Sequence, residues 1–224
     1  MQRCGLIFQP QTARDVWLAI AIGVLGVLAL FGIEVLFGWA APSPPSPRLG
    51  QFIAEGLVMA LAVAFAEEML FRGWLLAELE KDFSSAKSLV MNAVFFAVAH
   101  FIKPFDEIVR TFPQFLGLVI LGLALVWARR SGQQRGHKKV TSLGYPIGLH
   151  AGLIWGYYIV NVGGLITYTG RVPEWITGVD NNPLAGVLGL ILLGAIAFQF
   201  AKLARSKTLP AIPAPTQPPL PADT

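Results

Sequence analysis

Six mostly apolar runs, separated by short polar connections, constrain this chain more than any other feature. They cover about Val16 to Trp39, Phe52 to Leu76, Ser88 to Phe101, Phe112 to Trp127, Pro146 to Gly163 and Leu184 to Leu203. A helix needs roughly 20 mostly apolar residues to cross a bilayer. The pattern therefore predicts an all-α fold, a polytopic transmembrane bundle of about six helices. The third and fourth runs are short. Composition agrees: 54% of the 224 residues are hydrophobic and 13% charged, where a soluble domain carries about a quarter charged. Gly38 and Ala40 stand at signal-peptide-like cleavage spacing. The run before them exceeds the roughly 7–15 apolar residues of a signal sequence, so it reads as a retained anchor. Residues 1–207 read as one transmembrane domain. Thr208 to Thr224 is rich in proline and reads as a disordered cytoplasmic tail, since it cannot bury a core.

Basic residues flank the runs unevenly. With the N-terminus in the cytoplasm, thirteen fall inside: Arg3, Arg14, Arg72, Lys81, Lys87, Arg129, Arg130, Arg135, Lys138, Lys139, Lys202, Arg205 and Lys207. Four fall outside: Arg48, Lys103, Arg110 and Arg171. The positive-inside rule then predicts a multi-pass protein with both termini cytoplasmic. The net charge of +4 and pI near 9.4 reflect these flanks and do not indicate a nucleic-acid partner. The single cysteine, Cys4, excludes an intrachain disulfide and a Cys-rich metal site.

The second run contains "AEEMLFRGW", residues 66–74. A charge in the hydrocarbon costs about 2.5–3.5 kcal/mol on insertion scales, and such groups usually face a bundle interior or a wet cavity. Glu68 and Arg72, four apart, share a helix face and can pair. Glu67 is turned about 100° from Glu68 and needs another partner or a chemical role. The alternative, a helix end at the lipid headgroups, is weakened by the apolar "GWLL" that follows Arg72.

Two of the three histidines lie in apolar runs: His100, one turn after Phe96, and His150. His137 sits in a basic loop and reads as solvated. Gly144, Gly148, Gly152 and Gly156 recur every four residues, a spacing that lets two helices approach closely. His150 is about 200° from Gly148 and so faces away from that stripe. Carboxylate and imidazole can bind zinc, or a carboxylate can activate water directly. Either arrangement suits peptide-bond hydrolysis; a proton or ion relay could use the same residue types. The HExxH motif is absent, as is a rhomboid-type Ser/His pair.

Taken in order, EExxxR (Glu67, Glu68, Arg72), FxxxH (Phe96, His100) and a later membrane His (His150) resemble the CPBP family of intramembrane proteases, also called Abi, the CAAX protease and bacteriocin-processing family. The motif core spans about residues 52–163. The resemblance implies a polar intramembrane cavity, generally opening toward the cytoplasm. It implies Glu67 as the general base, His100 and His150 as the residues that hold the water or a metal, and Glu68 with Arg72 as support. The same three residues, Glu67, His100 and His150, would ligate Zn2+ or another divalent metal. The implied partners are the lipid bilayer and a peptide or lipidated protein substrate. One departure stands out. The last family motif often reads HxxxN or HxxxD, and here the fourth residue after His150 is Ile154. Tyr157, on nearly the same face, is about 10 Å along the axis from His150, too far to be an equivalent substitute. Ile154 keeps open a non-catalytic member that binds, sequesters or confers peptide immunity. A shared site also requires His100, near the outer end of its run, to reach the depth of His150, near the inner end of its own.

Overall fold

The computed structural model describes residues 10–132, 134–135, 138–139 and 142–206. Cys4, Arg3, His137, Lys207 and the proline-rich tail lie outside the described residues. The chain forms α1 (Pro10–Leu36), β1 (Ala40–Pro42), α2 (Leu49–Glu68), a π-helical segment (Met69–Leu75), α3 (Leu76–Asp82), α4 (Ser85–Ala99), α5 (Phe105–Thr111) and α6 (Gln114–Arg130). After the two-residue strands β2 (Gln134–Arg135) and β3 (Lys138–Lys139) come α7 (Gly144–Asn161), β4 (Ile166–Tyr168), α8 (Glu174–Thr177) and α9 (Val187–Ser206). This is the all-α membrane bundle the apolar runs predict.

The runs do not all cross alone. Pro10–Leu36, Leu49–Asp82 and Val187–Arg205 are long and apolar enough. α5 and α6 qualify only as a pair, bent by 75° where Pro113 interrupts the backbone ladder. α4 has 15 residues, about 22 Å at 1.5 Å per residue, short of the roughly 30 Å hydrocarbon core. α7, with 18 residues, carries too many Gly, Tyr and polar residues to qualify.

Connections gather at two ends. At one, β1 pairs antiparallel with β4, Thr169 Oγ1 donates to the Gly38 carbonyl, and Arg110 pairs with Asp180. At the other, Arg130 donates to Glu80 and to the Ser85 carbonyl. This is the sorting of loops that alternating helices require.

The glycine stripe of α7 packs on α1. A Cβ at Gly148 or Gly152 would collide with the carbonyls of Val16 or Ile20, and one at Gly23 of α1 would lie 2.7 Å from the Leu153 nitrogen. The backbones touch, so the opposite face of α7 carries His150 toward α2.

The depth of His100 follows from a helical hairpin. The fourteen residues from Met69 to Asp82 continue the α2 helix by about 20 Å. Ser84 caps α4, its hydroxyl accepting from the Lys87 N–H, and α4 returns by about the same distance. Its C-cap, His100, therefore comes back level with Glu67.

Candidate active site

The site begins with an irregular helix. From Met69 to Leu75 the backbone takes the wider π turn, a form often found at functional sites. The Phe71 carbonyl accepts from both the Leu76 N–H and Asn92 Nδ2, the latter at 2.8 Å. The Arg72 carbonyl accepts from Arg129 Nη1. Arg129, counted by sequence among the flanking basic residues, is buried and braces this segment.

Glu68 and Arg72 are fully buried and joined at 3.0 Å, Nη1 to Oε1. Arg72 Nη2 also donates to the Gly122 carbonyl at 3.2 Å. Its guanidinium lies 4.2 Å from the Phe96 ring centre, giving Phe96 a cation–π role. The same Glu68 Oε1 accepts from His150 Nδ1 at 2.9 Å, a link that sequence spacing did not reveal.

Glu67 faces the other way. Its Oε2 stands 3.9 Å from His100 Nε2 and 3.9 Å from His150 Nε2. His100 Nδ1 donates to the Phe96 carbonyl at 2.8 Å, and His150 Nδ1 donates to Glu68. In neutral imidazoles these bonds leave both Nε2 atoms bare. Three acceptors thus converge, and Glu67 Oε2, buried at the atom, makes no hydrogen bond among the described residues. Such a group calls for a donor or a cation among them.

The donor set is chemically suited to zinc, but its spacing is loose. Ligand atoms about 2.0–2.1 Å from tetrahedral zinc lie about 3.4 Å apart. Among the described residues no group of His, Cys, Asp or Glu is close enough to hold a metal as it stands. A water at about 2.8 Å from each of two atoms 3.9 Å apart fits without movement.

The three residues border a cavity of about 360 Å³ walled mainly by apolar side chains, among them Val27, Leu30, Leu118, Leu121, Leu153 and Leu192. Ile154 lines it and offers no hydrogen bond. The polar wall residues beyond the three are Gln114, Tyr157 and Asn182. The Tyr157 hydroxyl is occupied, donating to the Asn181 carbonyl at 3.2 Å and accepting from Asn161 at 2.7 Å. Asn182 Oδ1 accepts from the Leu184 N–H. Gln114, in the first turn of α6, sits beside the α4 terminus, where Phe101 and Phe115 pack at 5.8 Å.

Glu34 escaped the sequence reading. It is fully buried in α1, and the signal was present: a carboxylate deep in a 27-residue apolar helix whose other acid, Asp15, lies near its start. It neighbours Tyr168, whose hydroxyl is pushed up by burial and then by that carboxylate.

Residues 49–156 match a family model described as type II CAAX prenyl endopeptidase Rce1-like. The match covers Glu67, Glu68, Arg72, Phe96, His100 and His150. No curated protein and no solved structure matches the chain.

Proposed function

Since residues 49–156 are an Rce1-like domain, which agrees with the resemblance to the CPBP proteases, we propose that the chain is an intramembrane endopeptidase with Glu67 as general base. The observation that supports this is the unsatisfied Glu67 oxygen facing two bare imidazole nitrogens at one end of an apolar cavity.

In this reading a water donates one hydrogen bond to Glu67 and the other to an imidazole Nε2. As the water oxygen attacks the peptide carbonyl carbon, Glu67 takes its proton and the carbonyl electron pair moves to oxygen. Collapse of the tetrahedral oxyanion breaks the C–N bond, and Glu67 delivers the proton to the leaving amine. His150 is held in the useful tautomer by Glu68, which Arg72 holds in place. Ile154 cannot donate to the oxyanion; the cavity wall carries two side-chain amides with N–H donors, Gln114 and Asn182, of which Gln114 is assigned that role here. Glu67, His100 and His150 would also hold Zn2+ or another divalent metal, which would supply Lewis acidity; no step above requires it.

The test is cleavage of a fluorogenic peptide by detergent-purified protein. A prenylated CAAX peptide and an unlipidated membrane-segment peptide serve as the two probes. Glu67→Gln and His150→Ala should lower turnover by about 10²–10⁴-fold, the usual worth of acid–base catalysis. Unchanged turnover by Glu67→Gln rejects the assignment. Ile154 on the cavity wall favours one second reading, a non-catalytic binding, sequestering or peptide-immunity protein. That reading predicts no turnover by the wild type and peptide retention that Glu67→Gln leaves intact.

A further inference from the structure

The cavity leaves the Glu67–His100–His150 cluster in one direction only. Along α2 it passes from Glu67 back to Val63; along α7 it passes from His150 on to Tyr157; along α6 it reaches Gln114 in the first turn. Asn182, Pro183 and Leu184 border it at the end away from the cluster. Every one of these steps leads to the bundle end that carries the 37–48, 100–113 and 162–186 connections. In the opposite direction the cluster is closed by the buried Glu68, Arg72, Phe71 and Phe96.

The charges at the two ends differ. The mouth end carries Arg48, Lys103, Arg110 and Arg171, and Arg110 is neutralised by Glu107 and Asp180. The closed end carries Lys81, Lys87, Arg130, Lys202 and Arg205, and the 131–143 connection adds three more basic residues. Short loops rich in Lys and Arg stay in the cytoplasm. In this fold, a cytoplasmic mouth and a cytoplasmic basic end exclude each other. The resemblance implies the first and the charges imply the second.

We infer that the mouth opens on the non-cytoplasmic side. Its substrate is then a peptide segment presented from that side, such as an exported precursor or an outward juxtamembrane stretch. It is not a prenylated C-terminus held at the cytoplasmic leaflet. The apolar walls suit an aliphatic stretch of such a segment. This substrate class rests on the endopeptidase reading; the sidedness does not.

The chain's one cysteine makes the test direct. In full-length Cys4→Ser protein, single cysteines are introduced by Glu174→Cys at the mouth end and Lys87→Cys at the closed end, with Pro45→Cys as a second mouth-end site. Intact cells are treated with a membrane-impermeant maleimide. Glu174→Cys and Pro45→Cys should label without permeabilisation and Lys87→Cys only after it. The reverse order, or labelling of both ends from one face, overturns the inference. Cleavage in sealed vesicles then tests the substrate class. The unlipidated membrane-segment peptide supplied on the mouth side should be cut and a prenylated CAAX peptide on the basic side spared; cleavage of the CAAX peptide from the basic side overturns it. Labelling reports the side whether or not the protein is active. Glu67→Gln turnover in detergent reports the hydrolytic reading whatever the side.

Discussion

Glu67 and Glu68 are adjacent in the chain, yet they belong to two unlike regions of the molecule. Glu68 lies in the closed half, where one of its oxygens accepts from both Arg72 and His150 and nothing is exposed. Glu67 lies at the boundary of the open half, with its side chain 29% exposed and its inner oxygen without a donor. The difference teaches how a membrane protein can hold two carboxylates at one depth. One is tied to Arg72 and His150 through a single oxygen, its second oxygen lacking a partner among the described residues; the other has no paired cation and, in the proposed mechanism, is the reactive one. His150 joins the regions, using one ring nitrogen for each.

The contrast can be broken most forcefully at Glu68. Glu68→Ala strands the Arg72 guanidinium and removes the acceptor of His150. Breaking a buried pair costs about 3–5 kcal/mol, so folded yield and thermal stability in detergent should fall sharply. A Glu68→Ala protein as stable as wild type would make the closed half something other than scaffold. Gln114→Leu probes the open half alone. Turnover should drop by about 10²–10³-fold, the worth of one oxyanion donor, with KM and melting temperature nearly unchanged. Adding Ile154→Asn, which restores an amide one turn after His150, should recover part of that loss. The two histidines sharpen the boundary. His100→Ala should lower turnover with little loss of stability. His150→Ala should lower both, because it also unsatisfies Glu68, by about 1–3 kcal/mol. Smallest is Gly148→Ala, which pushes α1 away from α7; overpacking costs about 1–3 kcal/mol, read as a lower melting temperature in which any activity loss follows unfolding.

Much of this was legible in the sequence because it is periodic. The apolar runs located the long helices to within a few residues, except that the first starts six residues earlier, at Pro10, and the second runs on to Asp82. The four-residue spacing of Glu68 and Arg72 anticipated their pairing, and the glycine stripe anticipated the face of α7 that meets α1. What was hidden depends on three-dimensional closure. The π turn leaves no periodic mark in "MLFRGWL". The depth of His100 depends on two hairpin arms of equal length, a comparison between segments that no local pattern contains. Arg129 looks like any flanking cation until its carbonyl partner on the π segment is known. The Nδ1 bond of His150 to Glu68 crosses 82 residues of sequence.

The backbone contact between α1 and α7 bears on how the chain can be divided. The segment with the family signature, residues 49–156, omits both α1 and α9. Yet α1 is the surface against which the His150 helix is seated, and α9 supplies Leu192 and Leu193 to the cavity wall. The heritable signature and the mechanical unit therefore have different boundaries. An excised 49–156 fragment would keep every reactive group and lose the buttress that aims one of them, so transplanting the chemistry to another scaffold means carrying the first helix along.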